Sequence, residues 1–542
     1  MASRTALRVD RSQLAPAAGV LMLVLLVGYP LGRLLVTSVE DGAGALIDSL
    51  ATATVRTAAF NSLWTSAAAA TIALLVGTRV ALLTERYRVR AAGAIRVAMV
   101  GTLLVPPFVS AMSWQATYAP FGLLDDLTGV AAPWLEGRAG VTAVIAVNVA
   151  PLAFLVVAAA LRGTRVADLE RSARASGASD SATVRLITLP LIRPALAAGW
   201  LLGFAAALSS FGVPAVLGSP AGFETLTTRV YRAIAFSARA AAFQEAVAMA
   251  LLLAVVALVV VGLADSRLVS GPAGGLAGGA AGRPGTGSAP PPGTVAATSG
   301  YLLLSLVLPL GGLLLRAITR AVGVSAAPGN WTLANFQAAL DGRTWEAVGR
   351  SVLLAAGAAV LALLAAGLLV FVQRTGARRW GVAPTVMFAV PGTTIAIAMS
   401  LGYGRWIANT AAIILVAYVA KLLALAHRPL AGSVASIHPD LVRAARASGA
   451  GPMAVAQTVF APMLRSAAVA AGILVFVFAV HELTMSSILH GPGNETLAVV
   501  VLDYQQIGDP TVTSALAVML AAAIGAIAAP LLWLRRSWGA PQ

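Results

Sequence analysis

The chain alternates long apolar runs with short polar connections, and the runs are longer than the core elements of a soluble fold require. About 20 apolar residues at a rise of 1.5 Å cover the roughly 30 Å hydrocarbon core of a bilayer with every backbone group bonded internally. Twelve such runs occur, near residues 15–37, 57–82, 93–117, 141–162, 195–217, 246–264, 299–319, 350–372, 381–402, 406–427, 466–488 and 512–534. The tenth is the weakest because it carries Lys421. The pattern predicts an all-α polytopic membrane protein with about 12 transmembrane helices.

Composition agrees. Of the 542 residues 59% are hydrophobic and 11% charged, a balance that cannot clothe a soluble globule and excludes disordered, fibrous and cytosolic classes. The net charge of +16 would suggest nucleic acid in a soluble protein, but here the basic residues lie in connections between apolar runs, so the expected partner is the lipid bilayer and no nucleic acid. With each charge assigned to its nearer side, alternating connections hold 24 basic and 7 acidic residues on one face and 10 and 14 on the other, with Arg33, Arg79 and Lys421 inside spans. By the positive-inside rule both termini are cytoplasmic in a plasma (inner) membrane. The basic start (Arg4, Arg8, Arg11) before the first run also fits a signal peptide, but the run is long and no small-x-small cleavage site follows. Zero Cys and four unpaired His leave no evident metal centre, so the expected metal set is none and the expected catalytic set is none.

The chain repeats itself. Asp168 to Ala178 reads DLERSARASGA and Asp440 to Ala450 reads DLVRAARASGA, with 9 of 11 positions identical at an offset of 272. The register continues through Pro190 and Pro462, and through Arg193 and Arg465. After one net deletion FETL (Phe223 to Leu226) matches NETL (Asn494 to Leu497). Both long copies fall between the fourth and fifth spans of their halves, so the halves are parallel six-helix repeats related by an axis along the membrane normal. Each loop predicts a short helix ended by Gly177 or Gly449, then a second amphipathic helix. Such helices could shield the bundle or bind headgroups, yet two near-identical copies beside drifted spans point to a two-fold symmetric partner.

A short helix with Ala-Ala, a Gly four residues on, and an apolar-Leu-Pro further along resembles the EAA loop of permease subunits of type I ATP-binding-cassette importers. The resemblance implies that two copies of an ATP-binding subunit, holding ATP and Mg, dock on these loops, so this chain binds no cofactor itself. It implies docking through Arg171, Ser172, Ala173, Gly177 and Pro190, and through Arg443, Ala444, Ala445, Gly449 and Pro462. The chain departs from the pattern where the motif's first Glu is Arg171 in one copy and Arg443 in the other. No G-x-x-x-x-G-K-[ST] occurs, so hydrolysis is expected on a separate subunit and the chain is not expected to be an enzyme.

The fused arrangement, with FGVPAVLG (Phe211 to Gly218), ETLTTRVY (Glu224 to Tyr231), HELT (His481 to Thr484) and ETLAVVVLDY (Glu495 to Tyr504), is similar to single-chain permeases of ferric iron importers. Permeases for thiamine, aminoethylphosphonate, sulfate and polyamines look similar. The resemblance implies a substrate, ferric iron, delivered by an external solute-binding protein. An ionisable residue inside a span is a functional candidate by default. His481 and Glu482 are read as lying in the eleventh span and, by the repeat register, opposite Ser209 and Ser210, as a substrate pathway or a satisfied interhelical bond. One Glu is too sparse for a tight Fe(III) site. Lys421 is expected to snorkel or pair between helices, Arg79 to snorkel, and Trp114 with Gln115 to serve as anchor or gate. Pro106-Pro107 and Pro391-Gly392 are expected to kink spans three and nine. The expected organisation is 1–56, a tail and first helix; 57–264, a first permease domain; 265–298, a Gly/Pro-rich cytoplasmic linker; 299–348, a helix and external loop; and 349–535, a second permease domain. The rival class is a gradient-driven secondary carrier of six-plus-six type, but such carriers carry G-x-x-x-D-[RK]-x-G-[RK] after span two, where this chain has TERYRVRAAG (Thr84 to Gly93).

Overall fold

The computed structural model describes residues 11–40, 42–237, 239–269, 289–374 and 381–538. Residues 270–288 of the expected linker, and Arg4 and Arg8 of the basic start, lie outside them. Among the described residues nine helices are long and apolar enough to cross a membrane, and three bent helix pairs raise the number to as many as twelve.

The bends follow from proline. At Val105-Pro106 the helices Ala92–Leu104 and Pro107–Thr128 diverge by 106°, and at Val390-Pro391 the helices Val382–Ala389 and Gly392–Ile407 diverge by 108°. Both breaks have the same backbone: Val105 and Pro106 are extended (ψ 118° and 138°), as are Val390 and Pro391 (ψ 130° and 144°). A residue before proline is pushed out of the helical region, so the expected kinks become full breaks. Elsewhere the chain accommodates proline by widening a turn. Wide, i to i−5 turns at Val24–Gly28, Val184–Thr188, Leu303–Val307 and Ala456–Phe460 each end two residues before Pro30, Pro190, Pro309 or Pro462. The wider turn gives the ring room against the preceding carbonyls.

The chain divides into two compact units, neither continuous in sequence. One comprises residues 1–43, 342–500 and 523–542, the other residues 44–341 and 501–522. Thus the first helix of the chain, Pro16–Val39, packs with the second repeat, and Thr294–Ile318, the first helix of the second repeat, packs with the first repeat. The same hydrogen bond pins both. Tyr403 Oη donates to the Leu25 carbonyl at 2.6 Å and Tyr118 Oη donates to the Leu304 carbonyl, each at the carbonyl exposed by the wide turn before Pro30 or Pro309. Trp114 adds a bond from Nε1 to the Ser305 carbonyl at 3.2 Å, so it joins two helices rather than only anchoring an interface. Gln115 exchanges bonds with Glu136 and Gln505.

Small residues set the closeness of the remaining helices, as expected where lipid supplies no hydrophobic drive between them. A Cβ on Gly77 of Ala53–Glu85 would lie 2.7 Å from Phe154 N and 2.9 Å from Ala150 O of Arg138–Leu161. In the other unit Ala355, Ala358, Ala362 and Ala366 of Gly342–Arg374 are fully buried.

The ETL repeats have a matching role. Ser62 Oγ accepts the Leu226 N–H at 2.7 Å, and Ser351 Oγ accepts the Leu497 N–H at 2.8 Å. The neighbouring Asn61 and Arg350 donate to the Glu224 and Glu495 carbonyls.

Candidate coupling sites and the buried polar cluster

The two loops expected to dock a partner share one backbone design. The first contains the helix Thr164–Ala175 and the second Pro439–Ala447. Gly177 (φ +85°) and Gly449 (φ +83°) are left-handed, which ends each helix at a conformation that costs a side-chain-bearing residue about 1–2 kcal/mol. Around them the closing bonds coincide at the repeat offset. Gly177 N donates to Arg174 O and Gly449 N to Arg446 O, each at 3.0 Å, and Ala178 N donates to Ala173 O and Ala450 N to Ala445 O, each at 3.0 Å. The wide turns before Pro190 and Pro462 then fall at equivalent places.

The exposed surfaces correspond as well. Arg171 pairs with Asp168 and Arg443 with Asp440, three residues earlier in each helix. All four side chains are largely exposed, so the arginines that replace the motif's Glu balance a carboxylate on their own helix. Leu169 and Leu441, at matching positions, are 45% and 47% exposed, a large apolar side chain on the open surface of each helix. Ser172 and Ala444 are exposed, with Ala173 and Ala445 half-buried behind them.

Below the first loop lies a network that composition alone did not reveal. Arg86, the residue that ends Ala53–Glu85, places Nε 3.0 Å from both carboxylate oxygens of Glu170. Its Nη1 donates to Asp180 Oδ2 at 3.0 Å and its Nη2 lies 2.7 Å from Asp180 Oδ1. Tyr87 Oη donates to Asp180 at 2.8 Å, Arg174 lies 3.2 Å from Glu170, and Thr188 Oγ1 donates to Glu170. The adjacent Glu85 holds Arg162 at 2.9 Å and Arg96 at 2.8 Å. Burial alone would pull the Arg86 guanidinium down, but Asp180 and Glu170 outweigh it and hold it above its ordinary value. Burial, then Asp180, pushes the Tyr87 phenol up. In the sequence Arg86 reads as one more topological charge; its only distinguishing signal is a position beside Glu85 at the end of a long apolar run.

The candidate pathway residues fall differently from expectation. The helix Ala461–Val480 stops before His481, so His481 and Glu482 are not inside a straight eleventh span but in the break after it. At the same register Arg193–Leu208 ends before Ser209. Ser209 and Ser210 belong to one compact unit and His481 and Glu482 to the other. Glu482 Oε2 accepts the Met485 and Ser486 N–H groups at 2.8 and 3.3 Å, capping the short helix Thr484–Leu489. Lys421 donates to the Val390 carbonyl at 3.3 Å, where Pro391 breaks the neighbouring span, and interacts electrostatically with Glu482. Tyr418 joins them through Ser486 Oγ at 2.6 Å. Lys421 is therefore paired between helices, one of its two expected roles. Among the described residues no three His, Asp or Glu side chains converge as a metal site.

Parallel repeats of bilayer-length helices, each with an equivalent exposed helix in its fourth-to-fifth connection, define a multi-pass membrane permease of two-half design. Residues 73–270 match the family described as binding-protein-dependent transport system inner membrane component. The chain is 25% identical over 486 residues to a probable ABC transporter permease protein of Sinorhizobium fredii, covering 84% of this chain and 83% of that one. It is 24% identical over 441 residues to an Fe(3+)-transport system permease protein of Haemophilus influenzae, covering 80% and 81%. It is 30% identical over 218 residues to a molybdenum transport system permease protein of Mycobacterium tuberculosis, covering 39% of this chain and 79% of that one. The chain belongs to the binding-protein-dependent transport system inner membrane component family and is an ABC importer permease of the inner membrane, a family whose members work with an ATP-binding subunit and a solute-binding protein.

Proposed function

We propose that this permease moves ferric iron from an external binding protein to the cytoplasm by ATP-driven alternating access, with one ATP-binding subunit docked on each of the two loops and both termini cytoplasmic. The coincidence of the two helix ends at Gly177 and Gly449 carries the coupling part of the proposal. Matching helix ends and the matching Leu169 and Leu441 points offer closely similar surfaces twice, as two copies of one partner require. ATP energy enters as differential affinity of that pair for two permease states. Ferric iron rests on the Haemophilus relative, whose match runs through both repeats.

Glu482 already accepts two N–H groups, so passage rather than tight ligation fits the interior, with affinity supplied by the binding protein. Ser209, Ser210 and His481 remain the candidate lining residues. A second reading, an oxyanion such as molybdate, is favoured by the 30% identical relative.

Reconstitution with the cognate ATP-binding subunit and binding protein, followed by uptake of radioactive ferric iron and of molybdate, tests both. ATP-dependent iron uptake alone supports the proposal; molybdate uptake alone replaces the substrate. Gradient-driven uptake without ATP or ATPase would overturn the coupling assignment.

A further inference from the structure

We propose that Arg86 is a positioning residue for transport, clasping the first coupling loop to the Ala53–Glu85 helix so that the two move as one lever, and that the second loop has no equivalent clasp built from the matching positions. The inference rests on the reading that both loops dock ATP-binding subunits.

The clasp bridges both arms of the loop. Glu170 lies on the helix before Gly177 and Asp180 begins the segment after it, so one guanidinium holds the two sides of the turn. A planar guanidinium fork sets the spacing of its partners more rigidly than an ammonium would. Thr188 brings the wide turn before Pro190 onto the same carboxylate. Through Glu85, the preceding residue, the same helix end holds Arg162 at the end of Arg138–Leu161 and Arg96 at the start of the following span. A displacement of the first loop is thereby passed to three helices at one point.

Folding of the loop does not require this network. At the repeat offset Glu170, Asp180 and Thr188 become Val442, Pro452 and Phe460, and the second loop still forms its helix, its left-handed glycine and its wide turn with the same closing bonds. Well-packed apolar residues commonly replace a buried ion network without loss of stability. At these positions the second copy is apolar and the first is charged, yet both reach the same backbone. The charges therefore serve the transmission of movement rather than formation of the loop.

The test uses the complete importer in proteoliposomes, with transport and ATP hydrolysis measured together. Giving the first loop the residues of the second through Glu170→Val, Asp180→Pro and Thr188→Phe, and removing the unpaired guanidinium with Arg86→Met, should leave the ATP-binding subunit bound but lower substrate moved per ATP by about fivefold or more, the lower range of allosteric coupling. Unchanged stoichiometry would overturn the clasp. A second measurement does not depend on that variant folding. Because the chain has no Cys, spin labels can be placed at Arg90 and Ser172. The distance distribution should be narrow in the parent and broad in Arg86→Lys, which keeps the charge and loses the fork, and an unchanged distribution would overturn the proposal. Failure of the coupling reading itself would show separately, as absence of bound ATP-binding subunit on the unmodified chain.

Discussion

Across the 11-residue repeat the two loops differ at only two positions, Glu170, which is buried where Val442 is half-buried, and Ser172, exposed like its counterpart Ala444. Arg171 and Arg443, Leu169 and Leu441, and Asp168 and Asp440 match on the open surface, whereas Glu170, buried against Arg86, corresponds to Val442. Ordinary packing would lead one to expect more drift on the surface than this, since a buried side chain must fit its neighbours and an exposed one need not. The difference fits the proposed docking of one kind of partner on both exposed faces, with unlike support beneath them. Beneath the first lies an ion network around Arg86; in the second copy, apolar residues stand at the positions of its carboxylates and threonine.

The sharpest way to break this comparison is to remove one charge. Arg86→Leu leaves the buried Glu170 and the half-buried Asp180 without their main partner and should lower stability by roughly 3 kcal/mol, whereas Val442→Leu in the second loop should change it by less than about 1.5 kcal/mol. Thermal unfolding in detergent reads both, and equal effects would erase the asymmetry. Next in size are the glycines. Gly177→Val and Gly449→Val each force a β-branched residue into a left-handed backbone at a cost of about 1–2 kcal/mol. Each should insert normally and abolish transport-coupled ATPase activity; a defect in one alone would show that the loops are not equivalent docking sites.

The shared clamps on the exchanged first helices come third. Tyr118→Phe and Tyr403→Phe each remove one bond to a carbonyl before Pro309 or Pro30, and each should cost about 0.5–1.5 kcal/mol. Similar shifts in melting temperature would confirm that the clamp is a property of the repeat rather than of one unit. The smallest stability change belongs to Leu169→Ala and Leu441→Ala, within about 0.5 kcal/mol for exposed positions. Their expected effect is weaker retention of the ATP-binding subunit in co-purification. Undiminished retention in the double variant would remove these leucines from the docking surface.

Much of the architecture was legible along the chain because it depends on local rules. Apolar runs of bilayer length, a Gly that ends a helix, and the residue before a proline act over a few neighbours, so the spans, both coupling helices and the breaks at Pro106 and Pro391 could be placed from residue order. His481 and Glu482 were misplaced for the same reason. Hydrophobicity continues through 466–488, and nothing local announces that the helix stops at Val480 and that Glu482 turns to cap the next one. Lys421 was legible as a buried charge needing a partner, but not the Val390 carbonyl freed by a break in another helix.

The sequence by itself determined that this is a membrane protein of two repeats with a matched helix in the same connection of each, because those features are written in hydrophobic length and in an internal match of nearly identical residues. Tertiary structure alone decided that the first helix of each repeat packs with the other repeat, and that Arg86 reaches Glu170 and Asp180, 84 and 94 residues away. Those choices arise when helices far apart in the chain close on one another, where a desolvated charge must find its partner and a carbonyl bared by proline must find a donor.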